Sequence, residues 1–428
     1  MARLLEPDRL DFASLVRPGS LVCWGQGPAE PLALTRALMV QRACIGGFRA
    51  FVGMSWADTV SVEHTDHVRF ISYCAAGANR KLAAAGKLDV LPVHYSILPE
   101  LLGRRVDVLL LQLGPVATDG SYSLSVACEY LAPLISTAGL VIAEVNEQAP
   151  QTGCDVRVRA EDIHLLVHTS RPLLDASNPP PGEVEASIAS RVAGYVEDGA
   201  VLQVGLGTLP DRVARELTGR RDLGIHSGLI SDGLGYLIQR GAVTNARKRE
   251  AAGVSIGGLL AGGAELMRLA DRNPHIELRS TAYTHSLKVL AAIEGFTAIN
   301  AAIEVDLTGQ VNAEAVAGRY VGAVGGAMDF LRGAALAPRG LPIVVLPSTA
   351  NGGSVSRIVA RLDGPVSTPR ADAGLIVTEH GVADLRGLSI RQRERRMIEL
   401  AAPEFREALE RESAIGPCIR RREERAVL

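Results

Sequence analysis

The sequence predicts an α/β protein of two domains, each built on a parallel sheet, and three observations carry this prediction. The chain has 428 residues, about twice the length of a typical domain. Several short apolar segments are rich in β-branched residues, which is typical of strands buried on both faces. Helical patterns lie between these segments, and the alternation of strand, turn and helix indicates parallel sheets.

The individual elements follow from the spacing of the apolar residues. One helix is predicted from Leu209 to Leu217, directly after a glycine turn, and another from Arg391 to Leu409, where arginine and glutamate alternate with apolar residues. The predicted strands cover residues 106–113, 139–145, 200–206, 341–346 and 373–378.

The clearest break in the chain is the segment Asp175–Glu183. It holds three prolines and Gly182, which neither a helix nor a central strand accommodates. The sequence therefore predicts a domain boundary near Gly182, with one α/β domain over residues 1–182 and a second over residues 183–428.

Composition argues against several classes of partner. The formal charge of −2 leaves no overall field to attract nucleic acid or an anionic membrane. The opening residues carry charge at Arg3 and lack a long apolar run, so we expect neither a signal peptide nor a membrane anchor. The basic tail Arg420–Arg425 is interpreted as a solvated end, and a homo-oligomer is left open.

The cysteines show no spacing typical of a zinc site, so no metal is predicted. We interpret them as reduced thiols, which together with the absent targeting segment predicts a cytoplasmic protein. The six cysteines are Cys23, Cys44, Cys74, Cys128, Cys154 and Cys418.

A glycine turn, Gly205–Gly207, follows an apolar strand and precedes a helix with Pro210 in its first turn. Glycines there let backbone N–H groups approach an oxygen closely, and a helix N-terminus favours negative charge. The turn lacks the third glycine of a dinucleotide fingerprint and the lysine of a P-loop, which argues against nicotinamide and ATP. A structural tight turn and an oxyanion cradle both remain open.

Three further glycine-bearing loops cover residues 322–330, 347–357 and 378–386. The middle loop combines several hydroxyl side chains with Arg357, which suits phosphate or pantetheine groups as well as a plain polar surface. Several such loops at strand ends favour a crevice for a long ligand.

Taken in order, these segments resemble the acetyl-CoA hydrolase/transferase family, which includes carboxylate CoA-transferases. The resemblance implies two similar open α/β domains with the active site in the cleft between them. It also implies an acyl-CoA thioester as substrate or ligand, a carboxylate acceptor and no permanently bound cofactor. In such transferases a glutamate carboxylate attacks the thioester and carries CoA as a glutamyl thioester. The matching segments include Ser231–Gly233, Glu304–Val311, Leu346–Ala350, Ser356–Val359 and Gly381–Asp384.

The resemblance also implies site residues. Gly205 and Gly207 are predicted to lie near the thioester oxygen as part of an oxyanion site. The residues predicted to bind substrate or CoA are Gly325, Gly326, Ser348, Asn351, Gly352, Ser356 and Arg357.

The chain departs from the family where the catalytic glutamate belongs. The stretch His226–Leu229 precedes Ser231–Gly233 without a gap, and Gly228 stands at the glutamate position. Losing a covalent nucleophile costs on the order of 10³-fold or more in rate. Ala327 also replaces an amide, and Asn351 stands where lysine is common. Glu304 and Glu30 are interpreted as structural residues.

Several functions are compatible with this departure. One is a CoA-thioester hydrolase in which His226, on a strand over residues 224–228, acts as general base on water, with Asp232 as another candidate base. Hydrolysis of a C–C bond in a β-ketoacyl-CoA is a variant. The others are a non-catalytic acyl-CoA-binding protein and a transferase that uses a relocated carboxylate or attacks directly.

Overall fold

A computed structural model describes residues 3–413; Cys418 and the basic tail Arg420–Arg425 lie outside the described residues. The strands of the first half are β1 (Arg3–Leu4), β2 (Leu21–Trp24), β3 (Phe48–Phe51), β4 (Val68–Ser72), β5 (Leu88–Val90), β6 (Val108–Leu113), β7 (Leu140–Asn146), β8 (Gly153–Cys154) and β9 (Leu165–Thr169).

The strands of the second half are more numerous, and many are very short. They are β10 (Val201–Val204), β11 (Gly224–Ile225), β12 (Leu229–Ser231), β13 (Ser255–Gly257), β14 (Leu259–Ala261), β15 (Ile276–Leu278), β16 (Phe296–Ala301), β17 (Glu304–Asp306), β18 (Val311–Asn312), β19 (Ala315–Val316), β20 (Arg319–Tyr320), β21 (Leu341–Val345), β22 (Thr349–Ala350), β23 (Val355–Ser356), β24 (Ile358–Val359), β25 (Leu375–Thr378) and β26 (Gly381–Asp384).

The helices connect the strands. They are α1 (Phe12–Leu15), α2 (Leu32–Ile45), α3 (Asn79–Ala84), α4 (Leu98–Gly103), α5 (Leu131–Leu134), α6 (Glu183–Ala193), α7 (Thr208–Glu216), α8 (Asp232–Gln239), α9 (Ala264–Ala270), α10 (Thr281–Thr284), α11 (Leu287–Ala291), α12 (Ala327–Leu336), α13 (Ile390–Leu400) and α14 (Pro403–Glu412). Among the described residues, no helix combines the length and the apolar character needed to cross a membrane.

Two large sheets organise the fold, and the α/β prediction is confirmed. The first sheet has the order β1-β9-β7-β6-β2-β3-β4-β5, and its paired strands are all parallel. The second has the order β11-β10-β16-β21-β25-β26, with an antiparallel pair only at β25 and β26. All six residues of β6 are buried, as expected for a strand covered on both faces.

The two sheets come from separate stretches of the chain, and the two halves that carry them are joined by strand pairing and a shared apolar cluster. The first sheet ends at Thr169 and the second begins at Val201, so the predicted boundary near Gly182 falls in the stretch between them. Strand β8 pairs with β15, and one apolar cluster contains Val126 of the first half together with Leu259 of the second. Residues of both halves can therefore line a common site.

One predicted element is corrected by the structure. The helix expected from Arg391 to Leu409 is two helices, α13 and α14, separated by Ala401 and Ala402. Pro403 begins α14, and a proline at that place has no N–H to continue the preceding helix. The predicted helix after the glycine turn matches α7.

A buried ion pair lies at the carboxyl ends of two strands of the first sheet. Nε of Arg171 donates to Oε1 of Glu144 at 2.6 Å, and the Glu144 side chain is fully buried. The same guanidinium donates through Nη2 to Oε1 of Gln112 at 2.7 Å and to the backbone oxygen of Glu30 at 2.9 Å. Arg171 thus ties the strands β6 and β7 to the loop before α2.

Candidate functional site

A cavity of about 270 Å³ lies where β10 and β16 end. Val204 and Ala301, the last residues of these neighbouring strands, line it together with Gln26, Met54 and other residues of the first half. In parallel α/β sheets ligands bind outside the carboxyl ends of the strands, so this is the expected place for a substrate. The volume suits the acyl and thioester end of a ligand.

The glycine turn after β10 forms one wall. Gly205 and Leu206 line the cavity, and the N–H of Gly205 already donates to the backbone oxygen of Ile299 at 2.8 Å. A Cβ on Gly205 would lie 2.9 Å from Oδ1 of Asn300, so the tight contact requires glycine. Among the described residues, the N–H groups of Leu206 and Gly207 donate to no acceptor.

This geometry refines the predicted oxyanion donors. Gly207 has a φ of 117° and directly precedes α7, whose N-terminal N–H groups carry partial positive charge. Gly205 shapes the turn, but its own N–H is occupied. The donors that remain available in the turn are those of Leu206 and Gly207.

A second helix also begins at the cavity. Gly325, Gly326 and Ala327 line it, and α12 begins at Ala327. The backbone oxygen of Gly325 accepts from the N–H of Tyr95 at 3.0 Å, which fixes this wall to the first half. The N-terminus of α12 and the turn that leads into α7 therefore both border the cavity, an arrangement that favours a developing negative charge.

Gly228 lines the cavity, but the space in front of its Cα is occupied. A Cβ on Gly228 would lie 3.1 Å from both Cε1 and Nε2 of His285 and 3.2 Å from Cε2 of Phe330. These two rings pack at a centroid distance of 4.5 Å. Position 228 thus has neither a carboxylate nor the room for one without movement of His285.

The structure places His226 outside the residues that line the cavity. The strand that would have aligned it with position 228 ends at Ile225, and Gly228 lies in a bend. The buried His226 has Nε2 3.1 Å from the backbone oxygen of Thr284, and burial lowers its pKa to about 3. This position gives no support to the predicted role as a base on water in the cavity.

Lys248 lies next to His226 and holds the backbone that precedes it. Its Nζ donates to the backbone oxygens of Ile225 at 3.0 Å and Val254 at 2.6 Å, and burial lowers its pKa to about 7. Between pH 7 and its ordinary value the unfolded chain binds the proton that the folded chain has lost, so stability rises with pH. We expect Lys248→Met to remove this rise.

The measurement is the free energy of unfolding of wild type and Lys248→Met between pH 7 and 9. The difference between the two proteins should change by up to about 1.4 kcal/mol per pH unit, in favour of the wild type at the higher pH. A difference that stays constant over this range contradicts a neutral, buried lysine.

Asp232, the other candidate base, also lies away from the cavity lining. It is the first residue of α8, and its Oδ1 and Oδ2 accept from the N–H of Gly263 at 3.0 and 3.2 Å. Burial raises the pKa of this carboxyl. The contacts assign Asp232 to the joint between α8 and the loop before α9.

The predicted CoA-binding loop lies outside the cavity lining too. Ser348 is fully buried, and its N–H and Oγ donate to the Glu379 carboxylate at 2.9 and 2.6 Å. Ser356 donates through Oγ to the backbone oxygen of Ile358 at 2.7 Å. Asn351 and Gly352 are more open, with φ values of 50° and 66°.

Arg357 is the cation of this loop. Burial lowers its pKa, while the nearby carboxylates of Glu304 and Glu379 act in the opposite direction. Glu304 itself accepts from Nδ2 of Asn312 at 3.3 Å and does not line the cavity. Its position agrees with the structural interpretation.

Glu30 is also structural. It is buried and accepts from the hydroxyls of Thr35 at 3.1 Å, Ser55 at 2.9 Å and Thr59. Burial raises its pKa, since desolvation outweighs these hydrogen bonds. It does not line the cavity.

Sequence reasoning missed the carboxyl group that does line the cavity, Glu129. It is 2% exposed, and its Oε2 accepts from the hydroxyl of Tyr95 at 2.6 Å and from Nε2 of Gln26 at 2.8 Å. Burial raises its pKa to about 7. No motif marks this residue, because its neighbours in the cavity come from distant parts of the chain.

One group within residues 3–413 has ligand atoms close enough to hold a metal ion: Cys128, Cys154 and Asp155. Sγ of Cys128 lies 3.4 Å from Oδ1 of Asp155. Both thiols are unpaired cysteines, and no disulfide is formed by Cys23, Cys44 or Cys74 either. This group does not line the cavity.

Comparisons with known proteins agree on one family. Residues 4–170 match the acetyl-CoA hydrolase/transferase N-terminal domain, and residues 262–413 match the corresponding C-terminal domain. The chain is 35% identical to the 4-hydroxybutyrate coenzyme A transferase of Clostridium kluyveri over 92% of this chain and 94% of that protein. It is 24% identical to an acetyl-CoA hydrolase of Kluyveromyces lactis over 93% and 87% of the two chains. The crystal structure of RipA from Yersinia pestis, 33% identical, superposes with a TM-score of 0.91 over 96% of each chain.

Proposed function

The chain belongs to the acetyl-CoA hydrolase/transferase family, and from this premise we propose that it hydrolyses acyl-CoA thioesters without a glutamyl intermediate at position 228. One observation carries the proposal: Gly228 lines the cavity without a side chain, and the rings of His285 and Phe330 lie 3.1 and 3.2 Å from where its Cβ would be. A covalent cycle needs a carboxylate within bonding distance of the thioester carbon. Water, in contrast, needs no side chain at this position.

The charge of the cavity supports water as the acceptor. Among the described residues that line it there is no lysine or arginine, and Glu129 is the one carboxylic acid. A carboxylate acceptor would bring a second negative charge into a buried space without a cation to offset it. Neutral water meets no such barrier.

The same argument favours an uncharged acyl group. Met54, Leu229 and Leu259 give the cavity apolar walls, which suit an alkyl chain. A dicarboxylic acyl group would place its free carboxylate among these residues. The N–H groups of Leu206 and Gly207 would then stabilise the oxyanion that forms when water adds to the thioester carbonyl.

Two other functions stay in view as outcomes of the test. A non-catalytic acyl-CoA-binding protein is less well supported, because the buried Oε1 of Glu129 accepts no hydrogen bond from the described residues, which is costly and serves no purpose in an apolar binding cavity. A transferase with a relocated carboxylate would depend on an added acceptor. Ser356 and Arg357 remain predicted contacts of the CoA moiety.

The test is the release of free thiol from butyryl-CoA and succinyl-CoA, with and without acetate. We expect release that does not depend on acetate. It should be about tenfold or more faster with butyryl-CoA, because the free carboxylate of the succinyl group would lie among apolar residues, and a difference of 1.4 kcal/mol already corresponds to a factor of ten. Release that requires acetate would indicate a transferase. Binding of butyryl-CoA without release of thiol would indicate a non-catalytic protein.

A further inference from the structure

Glu129 holds one carboxyl oxygen fixed and leaves the other without a partner. Its Oε2 accepts the hydrogen bonds of Tyr95 and Gln26, whereas its buried Oε1 accepts none from the described residues. Leaving a buried acceptor without a donor costs about 1–3 kcal/mol. Such a cost at the wall of a cavity indicates a group that interacts with a ligand.

Gly258 lies between the backbone of Gly228, the position of the absent nucleophile, and the side chain of Glu129. A Cβ built on Gly258 would lie 2.8 Å from the backbone oxygen of Gly228 and 3.6 Å from Cβ of Glu129. The N–H of Cys128 donates to the backbone oxygen of Gly258 at 2.9 Å, and the backbone oxygen of Glu129 accepts from the N–H of Thr281 at 3.1 Å. The backbone at Cys128 and Glu129 is therefore anchored to the second half of the protein.

Two aromatic rings connect Glu129 with Gly228 and Gly326 in the cavity wall. Tyr95, which donates to Glu129, packs its ring on His285 at a centroid distance of 4.9 Å. His285 is the ring that faces Gly228 and Gly326. Through these rings the carboxyl is connected to the part of the cavity wall that holds Gly228 and Gly326.

The acid–base properties of Glu129 differ from those of its neighbours. Burial raises the pKa of the Cys23 thiol and of the phenols of Tyr73, Tyr95 and Tyr130, so these groups stay protonated near neutrality. Burial lowers the pKa of His285 to about 3, which leaves it neutral. A carboxyl whose pKa lies near the working pH is well matched to proton transfer.

We propose that Glu129 is the catalytic base of this cavity and activates water for attack on the thioester, an inference that rests on the proposed hydrolase function. Oε1 takes a proton from water while the water oxygen bonds to the carbonyl carbon and the carbonyl electron pair moves to oxygen. The C–S bond then breaks, and Glu129 returns the proton to the departing sulfur. Thioester and water thus yield a carboxylic acid and free CoA thiol, with no oxidant or cofactor.

Glu129→Gln is the first test. The amide oxygen of glutamine can accept from both Tyr95 and Gln26, so the wall should keep its shape while the base is lost. We expect kcat for butyryl-CoA hydrolysis to fall about 10²–10⁴-fold with little change in KM. In the wild type kcat/KM should fall as the pH drops below about 7, and this pH dependence should be absent in the residual activity of the variant.

The matched control is Glu394→Gln. Glu394 in α13 is another buried glutamate with one unpartnered oxygen, and it does not line the cavity. The control should keep wild-type kinetics, and Glu129→Asp should retain the pH dependence at a reduced rate. These comparisons separate loss of a base from general damage to a buried site.

Two results would overturn the proposed role of Glu129 as a base without contradicting the hydrolase function. One is thiol release by Glu129→Gln within tenfold of the wild-type rate. The other is inactivation of the wild type by borohydride in the presence of butyryl-CoA with a reduced adduct on Glu129, which means a covalent nucleophile. Failure of the wild type to release thiol at all would instead overturn the hydrolase function, and this proposal with it.

Discussion

Gly228→Glu is expected to destabilise the protein by about 1–3 kcal/mol and to give no transferase activity by itself. The new Cβ would lie 3.1 Å from the His285 ring and 3.2 Å from the Phe330 ring, so these rings would have to give by a few tenths of an ångström. The measurement is the midpoint of urea unfolding together with butyryl-CoA:acetate transfer.

The double variant Gly228→Glu with His285→Ala tests the steric reason directly. Removing the imidazole makes room for the glutamate. The double variant should therefore lose less free energy of unfolding than the sum of the losses in the two single variants. It should also transfer CoA to acetate, and borohydride with butyryl-CoA should block that transfer, because only a glutamyl thioester is trapped in this way.

Gly219→Glu is the control for adding a glutamate. A Cβ on Gly219 meets no atom within 4 Å, so this variant should unfold at the wild-type midpoint. If Gly228→Glu alone is as stable as Gly219→Glu and transfers CoA, the cavity has kept space for the nucleophile, and the argument from His285 is wrong.

Arg171→Ala is expected to have the largest effect on stability, a loss of about 3–5 kcal/mol. The substitution leaves the fully buried Glu144 carboxylate without its cation, and it removes the donors to Gln112 and to the Glu30 backbone. The loss should appear as a lower unfolding midpoint in urea, with kinetics for butyryl-CoA unchanged in the folded protein, since Arg171 does not line the cavity.

Arg36→Ala provides the matched comparison. Arg36 and Asp58 form an ion pair at 3.2 Å in which both side chains are more than half exposed. Such pairs contribute about 0–1 kcal/mol. Equal losses of unfolding free energy for Arg36→Ala and Arg171→Ala would mean that burial does not increase the contribution of the Arg171–Glu144 pair, contrary to this expectation.

The fold could be predicted from the sequence because its strands carry a local signal. The apolar runs before Gly205 and around Ile343 indicated strands of a parallel sheet, and β10 and β21 lie there. The helix after Leu206 was marked by glycine, proline and an amphipathic pattern, and α7 follows it. The break at Pro403 was missed because the apolar spacing continues across it.

The site was only partly predictable. The glycine turn and Gly228 follow from local patterns, and Gly205, Leu206 and Gly228 line the cavity, whereas Gly207 does not. His226 was assigned to the cavity on the assumption of a regular strand over residues 224–228, but the strand ends at Ile225 and Gly228 lies in a bend. Glu129 had no sequence signal, because its chemistry depends on burial beside Gln26 and Tyr95, which only the folded chain brings together.

The origin of the cavity lining has a consequence for the order of folding. The lining extends along the chain from Gln26 to Phe330 and draws on both halves of the protein. Parallel strands pair only after long loops have closed, which makes such contacts late events in folding. Helices can form in the refolding chain well before Glu129 meets the glycine turn. The rate at which thiol-releasing activity returns during refolding would therefore measure the rate at which the two halves dock. A signal from secondary structure does not report this step.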